Sequence, residues 1–272
     1  MVGAGGLWIA LTQQQPPQPL TVEKLADDLH VIVGSGGNVA VLTTGEGVIL
    51  VDDKFDRNVP EILEKVKSIT TQPVRYVLNT HHHGDHTGGN TTLINSAEIV
   101  AHENAYANMI RGKQPGAPRL TFSREATLRL GGKEVRMTHL GRGHTNGDAV
   151  VLFPGHRVIH TGDLFVAGAP FADYNNGGSA VEWPITLNEA LKLDFDRVIP
   201  GHGPISAKAD IAKWREGFGQ TLQKVRAWKT QGKTKDEVVA AFTLNDIPAW
   251  KPAAAGASAQ WRSTAGFYDE IH

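Results

Sequence analysis

Cysteine is absent from the 272 residues, which excludes disulfides and thiolate ligation, so any bound metal must be held by His, Asp, Glu or backbone oxygen. Nor does either sign of charge dominate: 27 basic residues stand against 28 acidic ones, for a formal net charge of −1. Without a basic block, electrostatics gives no support to a nucleic-acid partner, and a small-molecule substrate is the expected partner. Long apolar runs are missing as well. The opening stretch Gly3 to Leu11 is too short to span a bilayer, and no Lys or Arg precedes Lys24, so it lacks the basic start of a secretory signal. With the Gln/Pro-rich tether that follows, residues 1–22 read as a flexible tail ahead of one domain over 23–272 that includes the C-terminal helices. The alternative reading, the remnant of a truncated export leader, would make the protein periplasmic or secreted.

What is present is β-rich patterning interrupted by helices. "LHVIV", "NVAVLTT" and "GVILVDD" are short apolar runs separated by glycines and read as a meander of strands. "VPEILEKVKSIT" sets Ile62, Val66 and Ile69 on one helical face, with Pro60 suited to the first turn. "VRYVLN" then reads as a buried strand. A helix around "ENAYANMI" leads to a second set of strands, "ATLRL", "EVRMTHL", "DAVVLFP" and "RVIHTG", joined by Gly-containing turns. A helix around "PITLNEALKL", a strand "DRVIP" and a long amphipathic helix follow, the last with Ile211, Trp214, Phe218, Leu222 and Val225 on one face. Thr234 and Glu237 have the spacing of a capping box. Two strand-rich halves flanked by helices predict an α/β fold, a four-layer αββα sandwich.

The chemistry concentrates in "LNTHHHGDHTGGN", where His81, His82, His83, Asp85 and His86 crowd into six positions after an apolar strand. Adjacent imidazoles repel once protonated, so a loop of this kind is suited to holding a cation. Three more polar residues stand at the ends of strands or at glycine turns: His144 in "GRGHTNGD", Asp163 in "IHTGDLF" and His202 in "VIPGHGP". His30, His102, His139, His156 and His272 stand alone and read as structural. His82 does too, since an extended loop would point it away from its neighbours. His160, just before "TGD", is a candidate partner that supports the ligands from behind.

The loop "THHHGDH", followed in order by "GHT", "TGD" and "PGHG", resembles the His-x-His-x-Asp-His signature and companion motifs of the metallo-β-lactamase superfamily over roughly Val31 to Pro204. The resemblance implies the αββα fold and a dinuclear zinc site. It assigns His81, His83 and His144 to the first zinc and Asp85, His86 and His202 to the second, with Asp163 bridging both. It also casts Asp85 as the residue that orients a zinc-activated hydroxide and accepts its proton as that hydroxide attacks a carbonyl. The second half resembles the Cys-containing zinc β-lactamases in layout, with two departures. Asp163 stands where they have a Cys ligand, a harder donor that also suits iron or manganese. Val166 stands where they have a Lys that grips the substrate carboxylate. Asn175, Asn176 and Arg142 are the candidate substrate contacts. The expected function is a metal-dependent hydrolase of an amide, ester, lactone or thioester, with modest β-lactamase activity. Its alternatives are a mononuclear iron persulfide dioxygenase and a non-catalytic binding relative; the nuclease branch is disfavoured for want of a basic arm.

Overall fold

The computed structural model describes residues 19–250 and 260–272. The first sheet has seven strands in chain order: β1 (Thr21–Lys24), β2 (Leu29–Val33), β3 (Val39–Thr44), β4 (Gly47–Val51), β5 (Val74–Leu78), β6 (Glu98–His102) and β7 (Leu120–Phe122). β1 to β4 pair antiparallel, and β4 to β7 pair parallel. The second sheet has six strands: β8 (Glu125–Leu130), β9 (Lys133–Thr138), β10 (Val150–Phe153), β11 (Val158–His160), β12 (Arg197–Ile199) and β13 (Ser206–Ala207), in the order β13-β12-β11-β10-β9-β8. Only β11 and β12 are parallel there.

Side chains that alternate along the strands divide between two apolar layers, which is why central strands read as unbroken apolar runs. Leu29, Val31, Ile49 and Val51 meet Met137, Val151, Phe153 and Ile199 between the sheets. Their neighbours Ile32, Val48 and Leu50 face outward onto Val59, Ile62 and Val66 of helix α1 (Val59–Ile69). The outer face of the second sheet, with Val150, Leu152, Ile159 and Val198, is covered by α5 (Trp183–Lys192) and α6 (Lys208–Thr230). Between α1 and α5 in sequence lie the short α2 (Gly84–Thr87) and α3 (Asn90–Leu93), and α4 (Glu103–Arg111). α7 (Lys235–Ala241) and α8 (Thr264–Glu270) complete the outer layer, and the expected box at Thr234 and Glu237 caps α7. The architecture is the four-layer αββα sandwich.

Two expectations change. Thr21 and Val22, read as tail, belong to β1 and pair with Val33 and Ile32, while Leu20 is buried and donates its N–H to Glu61 Oε1 at 2.9 Å. The edge of the β2 strand supplies a ladder of backbone partners that the polar "TVEK" does not advertise. The rest of the predicted tail, residues 1–18, lies outside the described residues. β6, β7 and β13 also escape the sequence patterning, the last two because strands of three and two residues show no alternation. Among the described residues no helix is long and apolar enough to cross a membrane.

Candidate metal centre

One end of the sandwich gathers the loops that carry the candidate ligands. β5 ends in the histidine loop, which turns at once into α2; β11 ends in the turn Gly162–Leu164, and β12 ends in the loop of His202. His144 comes from the β9–β10 connection. Their ligand atoms form three overlapping groups, each within 4.8 Å: His81, His83 and His144; His81, His86 and Asp163; and Asp85, His86 and His202. Asp163 faces both ends, its Oδ1 3.2 Å from His86 Nε2 and 3.4 Å from His202 Nε2, its Oδ2 3.5 Å from His144 Nε2. Gly201 makes room for it: a Cβ there would lie 1.9 Å from Asp163 Oδ1. All seven residues singled out by sequence are therefore brought to one place.

The outward nitrogens of the imidazoles are anchored. His86 Nδ1 donates to Asp52 Oδ2 at 2.7 Å, and His83 Nε2 donates to Asp173 Oδ2 at 2.9 Å. His144 Nδ1 donates to the Phe171 carbonyl at 2.5 Å. The Thr80 hydroxyl donates to Asp52 Oδ2 and so accepts from His81 Nδ1, 3.0 Å away. A neutral ring with its one hydrogen committed outward turns a lone pair inward, and the inward nitrogens His83 Nδ1 and His144 Nε2 stand only 2.8 Å apart. His81 Nε2 is buried without a hydrogen-bond partner. Facing lone pairs and an orphaned buried acceptor are costly unless a cation lies among them, so the donor set fits a metal.

The electrostatics divides the cluster in two. Burial, reinforced by neighbouring imidazoles, holds His81 far below its ordinary pKa and His144 down to about 4, so these two rings are neutral imidazoles. At the other end burial also opposes charge, yet Asp163 and Asp85 override it, raising His86 well above its ordinary value and His202 to about 9. The same pairings keep Asp85 and Asp163 below the usual carboxylate range in spite of their burial. Protons on His86 and His202 thus supply positive charge that a cation could supply instead.

Of the three candidate substrate contacts, Asn176 and Arg142 bond within the protein. Asn176 is tied at both ends of its amide, Nδ2 donating to Asp173 Oδ2 and Oδ1 accepting from Arg111 Nη2, each at 2.5 Å. Arg142 forms a two-point ion pair with Glu182 and reaches the Gly177 carbonyl. Both side chains are committed to protein partners, whereas Asn175 is exposed. His160 touches no ligand ring. Its Nε2 donates to Asn38 O at 3.0 Å and its Nδ1 accepts from Gly162 N at 3.1 Å, which fixes the turn carrying Asp163. His82 does not point away from its neighbours. The loop bends at 80–82 rather than extending, and brings His82 Nε2 to 4.0 Å from Asp173 Oδ2, with its ring centroid 4.5 Å from that of His83.

Sequence reasoning passed over Asp52, Asp173 and Lys54. The first and last had a signal: "DDK" sets three charges directly after the apolar "GVILV", and all three side chains are buried. Asp52 and Lys54 also adopt left-handed backbone, at φ 63° and 60°, a strain that non-glycine residues accept only where surrounding bonds hold them. Asp173 had none; it lies in an irregular segment and meets His83 across 90 residues of chain.

A family model described as the metallo-beta-lactamase superfamily matches residues 32–202. The metallo-beta-lactamase type 2 of Bacillus cereus is 31% identical over 174 residues, covering 62% of this chain and 67% of that protein. A beta-lactamase-like protein 2 homolog of Caenorhabditis elegans is 26% identical over 261 residues, covering 89% of this chain and 82% of the relative. Among solved structures, the DIM-1 metallo-beta-lactamase superposes with a TM-score of 0.65 at 21% identity, over 76% of this chain and 99% of that one.

Proposed function

This chain belongs to the metallo-β-lactamase superfamily, and from that premise we propose that it is a two-metal hydrolase of amide- or ester-type carbonyl compounds, with zinc as its ion. In this reading His81, His83 and His144 hold one ion, Asp85, His86 and His202 hold the other, and Asp163 serves both. The carrying observation is the set of inward lone pairs, His83 Nδ1 against His144 Nε2 at 2.8 Å, beside the orphaned His81 Nε2. When bound, zinc lowers the pKa of a coordinated water to about 7 and polarises a carbonyl oxygen. The protein's own part is to orient and to move protons. Asp52, Asp173, Thr80 and the Phe171 carbonyl hold four imidazoles in one tautomer each. Asp85, with Oδ2 3.2 Å from His202 Nε2, is the carboxylate placed to take the proton of the attacking water.

The surroundings support weak retention of anionic substrates. Val166, half-buried against the apolar cluster under α6, offers no cation, and Arg142 is engaged by Glu182. A β-lactam, with a strained amide but a carboxylate that needs a grip, should be opened slowly and at high KM.

The test is metal analysis of gently purified protein, followed by a hydrolysis panel of β-lactam, lactone, thioester, phosphodiester and sulfate-ester substrates. Two equivalents of zinc, with carbonyl-substrate turnover lost on chelation and restored by zinc, is the expected result. A reproducible single iron with no second binding event, together with oxygen uptake on a persulfide, would replace this reading with a dioxygenase.

A further inference from the structure

We infer that Lys54 is a positioning residue that clamps the glycine loop 34–37 onto the Asp85–His86–His202 group and thereby sets the affinity of that metal position. The inference rests on the two-metal reading above.

Lys54 is fully buried, and its Nζ donates to the Gly37 carbonyl at 2.6 Å. The same glycine's N–H donates to the Asp85 carbonyl at 2.9 Å. Gly37 is therefore bonded on one side to the residue that carries a candidate ligand and on the other to a buried ammonium. Between these bonds it lies on the His86 ring so closely that a Cβ would meet His86 Cε1 at 2.2 Å. Lys54 also acts through its backbone: its carbonyl accepts the Gly88 N–H at 2.8 Å, immediately beyond α2. The next residue of the loop, Asn38, reaches the His202 side, with its N–H on Gly201 O at 2.8 Å and its amide on Pro200 O and Gly203 O, both at 2.9 Å. Two adjacent residues where the loop ends are thus pinned to opposite sides of the site, Asn38 to the His202 segment and Gly37, by its own N–H and through Lys54, to the Asp85–His86 segment.

A buried lysine is an expensive way to hold a carbonyl, because desolvation of the ammonium must be offset. Burial pulls the Lys54 pKa down to about 7, and the nearby carboxylates of Asp85 and Asp52 are the charges that oppose that fall most. Lys54→Met removes the donor at similar length, leaves Gly37 O unpaired and frees the loop from His86. None of these changes touches the His81–His83–His144 group directly, so the effect should be selective between the two metal positions.

The experiment is stepwise zinc titration of metal-free protein against a chromophoric chelator, for wild type, Lys54→Met and Lys54→Arg. Removing a residue that orients metal ligands typically costs about 10–100-fold in affinity. The expected result is a loss of about tenfold or more in one zinc step of Lys54→Met, no change in the other, and substantial recovery in Lys54→Arg. The preserved step doubles as the check that the variant is folded. If Lys54→Met does not fold, Gly37→Ala, which lifts the same loop off His86, is read in the same way. Both zinc steps within twofold of wild type, or both weakened equally, would overturn the clamp. Failure of wild type itself to take a second ion would overturn the two-metal reading instead.

Discussion

Single residues at the centre do different work although they are chemically alike. Asp85 and Asp173 are both carboxylates beside imidazoles, but Asp85 contacts His202 and His86 from inside the cluster, whereas Asp173 holds His83 from outside. Asp85→Asn should keep the fold and lose about 10²–10⁴ in kcat, the usual cost of removing a general acid–base group. Steady-state kinetics on protein of measured metal content checks this, and near-wild-type turnover would remove Asp85 from the proton path. Asp173→Ala should act on binding first. His83 loses the acceptor that fixes its tautomer, so zinc affinity should fall about 10–100-fold, with turnover recovering as zinc is raised. Loss of turnover at saturating zinc with affinity unchanged would contradict that role.

At the scale of elements, α6 does most to back the second sheet. Its buried Phe218 packs edge-on against Trp214 at 5.3 Å between ring centroids and against Trp250 at 4.7 Å, and it also meets Trp183 at 5.2 Å. Trp183 in turn lies 6.1 Å from the ring of His144, so this aromatic cluster supports the wall of the candidate metal centre. Phe218→Ala should destabilise the protein by about 3–5 kcal/mol, the range for emptying a packed aromatic site. Urea denaturation of both proteins measures it; a difference below about 1 kcal/mol would mean that the neighbours collapse into the space.

For the molecule as a whole, the question is how two sheets stay in register beyond their shared apolar layer. Asp28, in the β1–β2 turn, crosses to the second sheet and bonds Lys133 at 2.6 Å and His156 at 2.7 Å. Burial would raise its carboxyl pKa, but the bonds from Lys133 and His156 hold it down to about 2, against an ordinary 3.8. A depressed folded-state value means that the charged form favours folding. That contribution is complete above about pH 4 and is lost as pH falls through 2. Wild type should therefore exceed Asp28→Asn in stability at pH 5, and the gap should close between pH 4 and 2. Thermal melts of both proteins across that range test it; a gap that persists at pH 2 would show that packing, not charge, links the sheets there.

The candidate ligands, which the structure brings together, were legible in the sequence because their parts are local. His81, His83, Asp85 and His86 share one loop, and His144, Asp163 and His202 each follow an apolar run or a glycine turn. Unbroken apolar runs likewise marked the central strands, whose two buried faces leave little freedom of sequence. What only the tertiary structure decided is what each polar group is bonded to. Asp52 meets His86 across 34 residues, Asp173 meets His83 across 90, and Asn176 and Arg142 find Arg111 and Glu182 across 65 and 40. No periodicity encodes such pairs. A metal ligand is recognisable by its side chain and spacing, but whether a neighbouring polar residue faces a substrate or serves its own protein depends on which distant segment the packed sheets bring within hydrogen-bond reach.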